Sequence, residues 1–304
     1  MGGRRSVSVG DVELCVEDFG NSDDPTLLLV SGAAASMDWW DDELCRRLVD
    51  GSRHVVRYDH RDTGESTTGS PGTPSYDGGQ LARDCTGLVE ALARGPVHLV
   101  GISMGGAIAQ VVALRRPDLV ATLTLVSTTA VGGVDSTELP GPSAGVQASF
   151  ATPPPEPDWT DATSYADWVV DGQRPYSGDI PLDEARVREI AARIHARSHD
   201  PAAAGNHWLV VGDSEDADDT GPLDVRRITA PTLVVHGSAD PLFPLAHGEA
   251  LAAAIPGTDV LVVPGMGHEV PPPPTWDLVV PAVLSHTSTR SPSRGHIPQS
   301  GSTT

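Results

Sequence analysis

Lysine is missing from this chain: all twenty of its basic residues are arginine. Against them stand 41 Asp and Glu residues, giving a formal net charge of −21. A surface this acidic repels phosphate backbones and excludes nucleic acid as a partner. Cysteine is scarce. Cys15, Cys45 and Cys85 are odd in number and widely spaced, which suits neither a disulfide framework nor a metal site. Each reads as a small buried apolar residue in a reducing cytoplasm. No stretch approaches the roughly 18 consecutive apolar residues of a membrane span, so no membrane partner is expected. The start, MGGRRSVSVG, has two arginines but no apolar h-region, and no signal peptide is expected. A Walker-type phosphate loop and a dinucleotide fingerprint are both missing, and no cofactor is expected.

What the chain does contain is an α/β rhythm. A length of 304 residues suits one large domain or a domain with an insertion. Residues 7–19 alternate apolar and polar around Gly10-Asp11, the pattern of a hairpin. Strands are expected at 26–32, 54–59, 97–102, 120–128, 231–237 and 259–265. Helices are expected at 38–51, 78–95, 104–115, near 244–254 and near 275–285. Strands that alternate with helices predict a mostly parallel central sheet flanked by helices on both faces. The rhythm breaks at about residue 130. Residues 131–160 are rich in Pro and Gly, and 161–210 read as short helices, the clearest at 182–198. Residues 1–130 and 226–287 are therefore assigned to the core, 131–225 to a helical lid insertion, and 288–304 to a Ser/Arg/Pro/Gly-rich disordered tail.

The chemistry concentrates at Gly101-Ile102-Ser103-Met104-Gly105, at the end of the apolar run VHLVGIS. A G-x-S-x-G between a strand and a helix is a nucleophile elbow: the chain turns sharply and exposes one serine at the bend. Glycine at 101 and 105 removes side chains that would collide with the turn. A serine hydroxyl needs a base, and the base needs an orienting group. In open α/β sheets such groups collect at the carboxyl ends of strands. Asp240 follows the strand 232–237, and His268 follows the strand 260–264 in a Gly-rich loop. Asp135, soon after the strand 120–128, competes for the acid. Among eleven histidines, His54 and His98 begin strands, His236 lies inside one, and His195, His199 and His207 fall in the insertion where any could touch substrate. His268 alone combines a preceding strand, a Gly-rich loop and the chain order Ser, Asp, His. Backbone N–H groups of Ala33, after the strand 26–31, and of Met104, after the nucleophile, are the expected oxyanion donors. Trp39 and Trp40 begin a helix, and Trp39 is assigned to the pocket wall. Asp59, His60 and Asp62 in DHRDTGES cluster as metal ligands can, yet the sequence reads better as a strand-end turn with an Arg61 ion pair. No metal is expected.

LLLVSGAAAS, VVRYDHRDTGEST, LVGISMGGAIAQ, PTLVVHGSADPLFP and VPGMGHEV together resemble the α/β-hydrolase superfamily over about residues 5–285. GDVELCVEDFG and YDHRDTGESTT resemble especially the aclacinomycin methylesterase group, which hydrolyses a carbomethoxy ester of anthracycline polyketides. The resemblance implies Ser103 as nucleophile, His268 as base, Asp240 as its orienter, and Ala33 and Met104 as oxyanion donors. Two positions depart from it. Ser31-Gly32 stands where many relatives have His-Gly, and Ala33 stands where the methylesterases have glycine.

The expected protein is a cytoplasmic serine esterase acting on a small apolar or polyketide-like ester, with the oligomeric state left open. The same triad also serves thioester or amide deacylation, lactone opening and perhydrolysis, and the same fold serves non-catalytic binding proteins. Six of the thirteen Trp, Tyr and Phe residues lie in the insertion: Phe150, Trp159, Tyr165, Trp168, Tyr176 and Trp208. Trp168 is the first choice among them for a substrate wall.

Overall fold

A computed structural model describes residues 3–92, 95–211 and 221–288. The expected tail beyond Ser288 and the acidic run 214–219 lie outside the described residues. β1 (Arg4–Val9) and β2 (Val12–Phe19) pair antiparallel as the expected hairpin, with Gly10 at a φ of 57° in its turn. β2 then pairs antiparallel with β4 (His54–Tyr58). Beyond that point every pairing is parallel, through β3 (Thr26–Val30), β5 (Val97–Ile102), β6 (Val120–Val126), β7 (Thr232–Gly237) and β8 (Asp259–Val263). The order across the sheet is β1-β2-β4-β3-β5-β6-β7-β8.

The two-residue period of a strand divides the core into two faces. On β3, Leu28 and Val30 point to one side and Leu27 and Leu29 to the other. The first side packs against α2 (Gly78–Leu92), α3 (Met104–Arg115) and α8 (Ala246–Ala254), through Leu81, Leu88, Ile108, Val112 and Leu251. The second packs against α1 (Asp42–Val49) and α9 (Trp276–His286), through Leu44, Leu48, Val279 and Val283. Each fully buried side chain of this size is worth about 1.5–3 kcal/mol relative to exposure. Both faces are covered, and the strands read as continuous apolar runs for that reason.

The helix expected from residue 38 starts later. Met37–Trp39 form a 3-10 turn capped by the Ser36 hydroxyl, Trp40 is extended, and α1 begins at Asp42. Arg57 explains the break, because its guanidinium takes the Trp40 carbonyl that a continuous helix would use. Between β6 and β7 lie α4 (Ala144–Ala151), α5 (Ala162–Gln173), α6 (Glu184–Arg197) and α7 (Asn206–Val210). α4 falls inside the Pro/Gly-rich stretch where no helix is expected. Its sequence AGVQASFA has no apolar stripe and buries only Val146, so its visible signal is the Ser143 cap. α5 and α6 pack on each other with a core of their own, built on Tyr165, Val170, Val187, Ile190 and Ile194.

Candidate active site

Ser103 stands at the bend between β5 and α3 with φ 52° and ψ −119°, a conformation sparsely populated for any residue with a side chain. Its amide donates to the Val126 carbonyl at 3.1 Å, and its carbonyl accepts from the Thr128 hydroxyl at 2.8 Å. These bonds fix the strained geometry from the end of β6 and the residues just after it. The flanking glycines are steric requirements. A Cβ on Gly101 would lie 2.2 Å from the Gly105 carbonyl oxygen, and one on Gly105 would lie 2.3 Å from that of Val30.

Asp240 follows β7 and is buried. Its Oδ1 accepts the amides of Leu242 and Phe243, each at 2.9 Å. His268 follows β8 and turns Nδ1 to Asp240, 3.0 Å from Oδ2 and 3.2 Å from Oδ1. Burial opposes the Asp240 charge, but the His268 contact and the Phe243 amide outweigh it and hold the carboxyl below its ordinary range. The carboxylate therefore stays ionised and ready to hold an imidazole. The His268 amide donates to the Tyr176 carbonyl at 2.8 Å, and its ring rests against Tyr176 and Phe243. Gly267 is needed here because a Cβ would meet the Tyr176 carbonyl oxygen at 2.4 Å.

Asp135 goes elsewhere. It caps the turn Ser136–Glu138, accepting the Thr137 amide at 3.0 Å. Ser103 and His268 face the same cavity, and among the described residues no hydrogen bond joins them. Contacts of this kind tighten when substrate arrives.

The cavity holds about 620 Å³. Ser103, His268 and the loop Ser31–Ala35 form its floor. Ala33 is in that loop, where a Cβ on neighbouring Gly32 would lie 3.5 Å from the Ser103 Cβ. Met104 is the first residue of α3. Neither the Ala33 nor the Met104 amide has a hydrogen-bond partner among the described residues. The walls are Trp39, Phe150, Tyr165, Trp168, Tyr176 and Trp208. Trp159 packs on Tyr165 and Trp168 and does not reach the cavity.

Glu269 and Arg186 are among the polar wall residues that escaped the sequence reading. Burial raises the Glu269 carboxyl above its ordinary value, against the pull of the Gly267 backbone, Arg186 and His268. Its one sequence signal is adjacency to His268. Arg186 lies on α6 and its Nε donates to Asp41 at 3.1 Å.

The three histidines of the insertion avoid the cavity. His195 faces the Trp159 carbonyl, His199 the Glu65 carbonyl, and His207 lies beneath the loop after β3. The DHRDTGES residues are committed to one another's surroundings. Arg61 pairs with Asp84 at 2.6 Å, Asp59 accepts the Met37 amide and Arg197, and Asp62 accepts the Tyr76 hydroxyl and the Asn206 amide. A larger groove of about 750 Å³ lies at the opposite end of the strands, beside Thr26, His54 and Pro96. It contains none of these groups.

Comparison with known proteins places the fold. Residues 25–272 match the family described as alpha/beta hydrolase fold. Rhodomycin D methylesterase DnrP of Streptomyces peucetius is 30% identical over 281 residues, covering 88% of this chain and 92% of that protein. Rhodomycin D methylesterase DauP of Streptomyces sp. (strain C5) is 30% identical with the same coverage. Among solved structures, an esterase from Rhodococcus sp. ECU1013 superposes with a TM-score of 0.70 over 94% of this chain and 98% of that one, at 19% identity, a likeness of fold. This chain belongs to the α/β-hydrolase family, and over most of its length it resembles the methylesterases of the aclacinomycin type.

Proposed function

We propose that this protein is a serine hydrolase that cleaves a carboxylic ester, with a methyl ester of a flat, polyketide-like metabolite as the favoured substrate. The observation that carries the reading is the Asp240–His268 pair opening onto the cavity where strained Ser103 sits. Ser103 attacks the acyl carbon while His268 takes its proton. Asp240 holds the imidazole in the productive tautomer and offsets its charge. The amides of Ala33 and Met104 receive the oxyanion, Met104 with the help of the α3 N-terminus. His268 then gives its proton to the leaving alcohol. Water repeats the sequence on the acyl-enzyme, releases the acid and restores Ser103.

The ester class is supported by the names of the methylesterase relatives, and the flat substrate by the aromatic walls. Residues 131–225 serve in this reading as the lid that selects substrate. Trp39 from the core and Trp168 from α5 border the substrate. No described helix is long and apolar enough to cross a membrane, and all three cysteines are free and buried. We place the enzyme in the cytoplasm.

The test is direct. Ser103→Ala should fold and lose ester hydrolysis by several orders of magnitude in kcat. A serine-directed phosphonate should label Ser103 and spare Ser31 and Ser66. Near-wild-type turnover by Ser103→Ala would remove the mechanism. Faster cleavage of long-chain acyl esters than of aromatic methyl esters would remove the substrate class.

A further inference from the structure

The loop that carries Ala33 is gripped from both sides by buried imidazoles. His60, from the turn after β4, donates Nε2–H to the Ser31 carbonyl at 3.0 Å. His207, from α7, accepts the Ala34 amide on Nδ1 at 3.0 Å and donates Nε2–H to the Arg61 carbonyl at 2.9 Å. The two rings meet edge to face at 5.8 Å, and both residues are at most 1% exposed. Partner chemistry fixes the protons: a carbonyl can only accept, and an amide N–H can only donate. His207 is therefore neutral with its proton on Nε2. Burial favours the neutral form of both rings.

Between these clamps lies the peptide that joins Gly32 to Ala33. Its carbonyl accepts the Ala35 amide at 3.4 Å. In a planar trans peptide the N–H points opposite to the C=O, so the Ala33 N–H faces away from that turn. Ala34 completes the turn with φ 55°, a left-handed conformation that favours glycine. The His207 contact holds alanine there.

We propose that His207 and His60 are positioning residues that aim the Ala33 amide at the oxyanion, so that the oxyanion site is competent only while α7 is seated on the core. The proposal rests on the hydrolase reading above. It makes a residue of the helical insertion, more than 170 positions from Ala33 in sequence, part of the support of the oxyanion loop.

The full chain carrying His207→Leu should hydrolyse p-nitrophenyl acetate with kcat reduced roughly 10- to 100-fold and KM within about threefold, because a displaced donor weakens transition-state binding selectively. A boronic acid that forms a tetrahedral adduct with Ser103 should lose affinity by the same factor. His207→Asn puts an amide oxygen where Nδ1 stood and should return kcat to within about fivefold of the wild type. It also lacks the bond to Arg61, so it should melt close to His207→Leu, and a purely structural role would lower both activities alike. Full kcat in His207→Leu, or equal losses in the two variants, would overturn the proposal. Should His207→Leu fail to fold, imidazole 15N resonances of the wild type decide together with His207→Asn. A bare Nδ1 on His207 and an active His207→Asn support the role, whereas a protonated Nδ1, or a folded but inactive His207→Asn, overturns it. Ser103→Ala separates the two levels. An active Ser103→Ala removes the hydrolase mechanism, while an inactive one beside a fully active His207→Leu removes the positioning role alone.

Discussion

Arg197 on α6 reaches across to Asp59 at the end of β4 and donates Nη2–H to its Oδ1 at 2.7 Å. The same guanidinium donates Nε–H to Asp38 at 2.7 Å. All three side chains are at most 8% exposed. One cation thus ties the helical insertion to the sheet and compensates two carboxylates that burial would otherwise penalise. Asp59 in turn holds the Met37 amide, which begins the turn below Trp39.

Arg197→Met should destabilise the fold by about 3–5 kcal/mol, because it leaves buried Asp59 without a cation and Asp38 with only the more exposed Arg193, 3.9 Å away. Urea unfolding at neutral pH reads the effect. Adding Asp38→Asn and Asp59→Asn should recover a large part of the loss. A triple variant as unstable as the single one would show that the guanidinium contributes through packing and not through charge.

Asp240→Asn should lower kcat by roughly four orders of magnitude while changing KM little, since the imidazole loses its orienting charge and settles in the wrong tautomer. The fold should survive, because an asparagine Oδ1 can still accept the Leu242 and Phe243 amides. Steady-state kinetics and a melting curve on the same preparation check both halves. Asp135→Asn is the matched control and should leave kcat unchanged, as Asp135 only caps a surface turn.

Much of this was legible in the sequence because strand-end chemistry is local. Ser103 follows its apolar run directly, and Asp240 and His268 lie within a short loop of theirs, so a strand, a turn and a candidate residue are read together. The glycines at 101 and 105 announce the elbow because the backbone there approaches itself. The loop that carries Ala33 was legible for the same reason, because it follows the strand Thr26–Val30. Other residues carry their meaning only through long-range contact. His207 acts on Ala34, Arg197 on Asp38 and Asp59, and Arg186 on Asp41, all across more than 130 residues. No period or spacing announces such pairs. α4 was invisible because a short helix of small residues has no apolar stripe, and the late start of α1 was invisible because Arg57 imposes it from β4.

Acid stability should follow His60. Burial, reinforced by neighbouring His207, pushes its pKa from the ordinary 6.5 to about 3, against the Ser31 carbonyl. The unfolded chain takes up that proton as pH falls below 6.5, and the folded chain resists until about 3. The unfolded state thus binds more protons across this window, and stability present above it is lost as pH falls through it. His60→Gln keeps an N–H donor for the Ser31 carbonyl but has no proton to gain. Its melting temperature should fall less steeply than that of the wild type between pH 6.5 and 3. The slope should not vanish, because His207 is shifted in the same direction. Parallel curves for the two proteins would show that His60 is not buried neutral.

Substrate choice should depend on Trp168. Its ring stacks on Tyr165 with centroids 6.2 Å apart and meets Trp159 edge-on at 5.4 Å, so one side is fixed by packing while the residue also lines the cavity. A flat polycyclic ester entering that cavity gains an aromatic contact that a short acetate ester cannot reach. Trp168→Ala should then raise KM for a bulky aromatic methyl ester roughly three- to tenfold, the worth of one aromatic pair, and leave KM for p-nitrophenyl acetate unchanged. The kcat for acetate is the control for Ser103 and His268, since the buried Trp168 indole N–H has no hydrogen-bond partner among the described residues. Loss of packing between α5 and α6 would act differently, lowering the melting temperature and disturbing both substrates together. Equal KM changes for the two esters would therefore assign Trp168 to the core of the insertion and remove the polycyclic substrate, with the hydrolase chemistry of Ser103, His268 and Asp240 untouched.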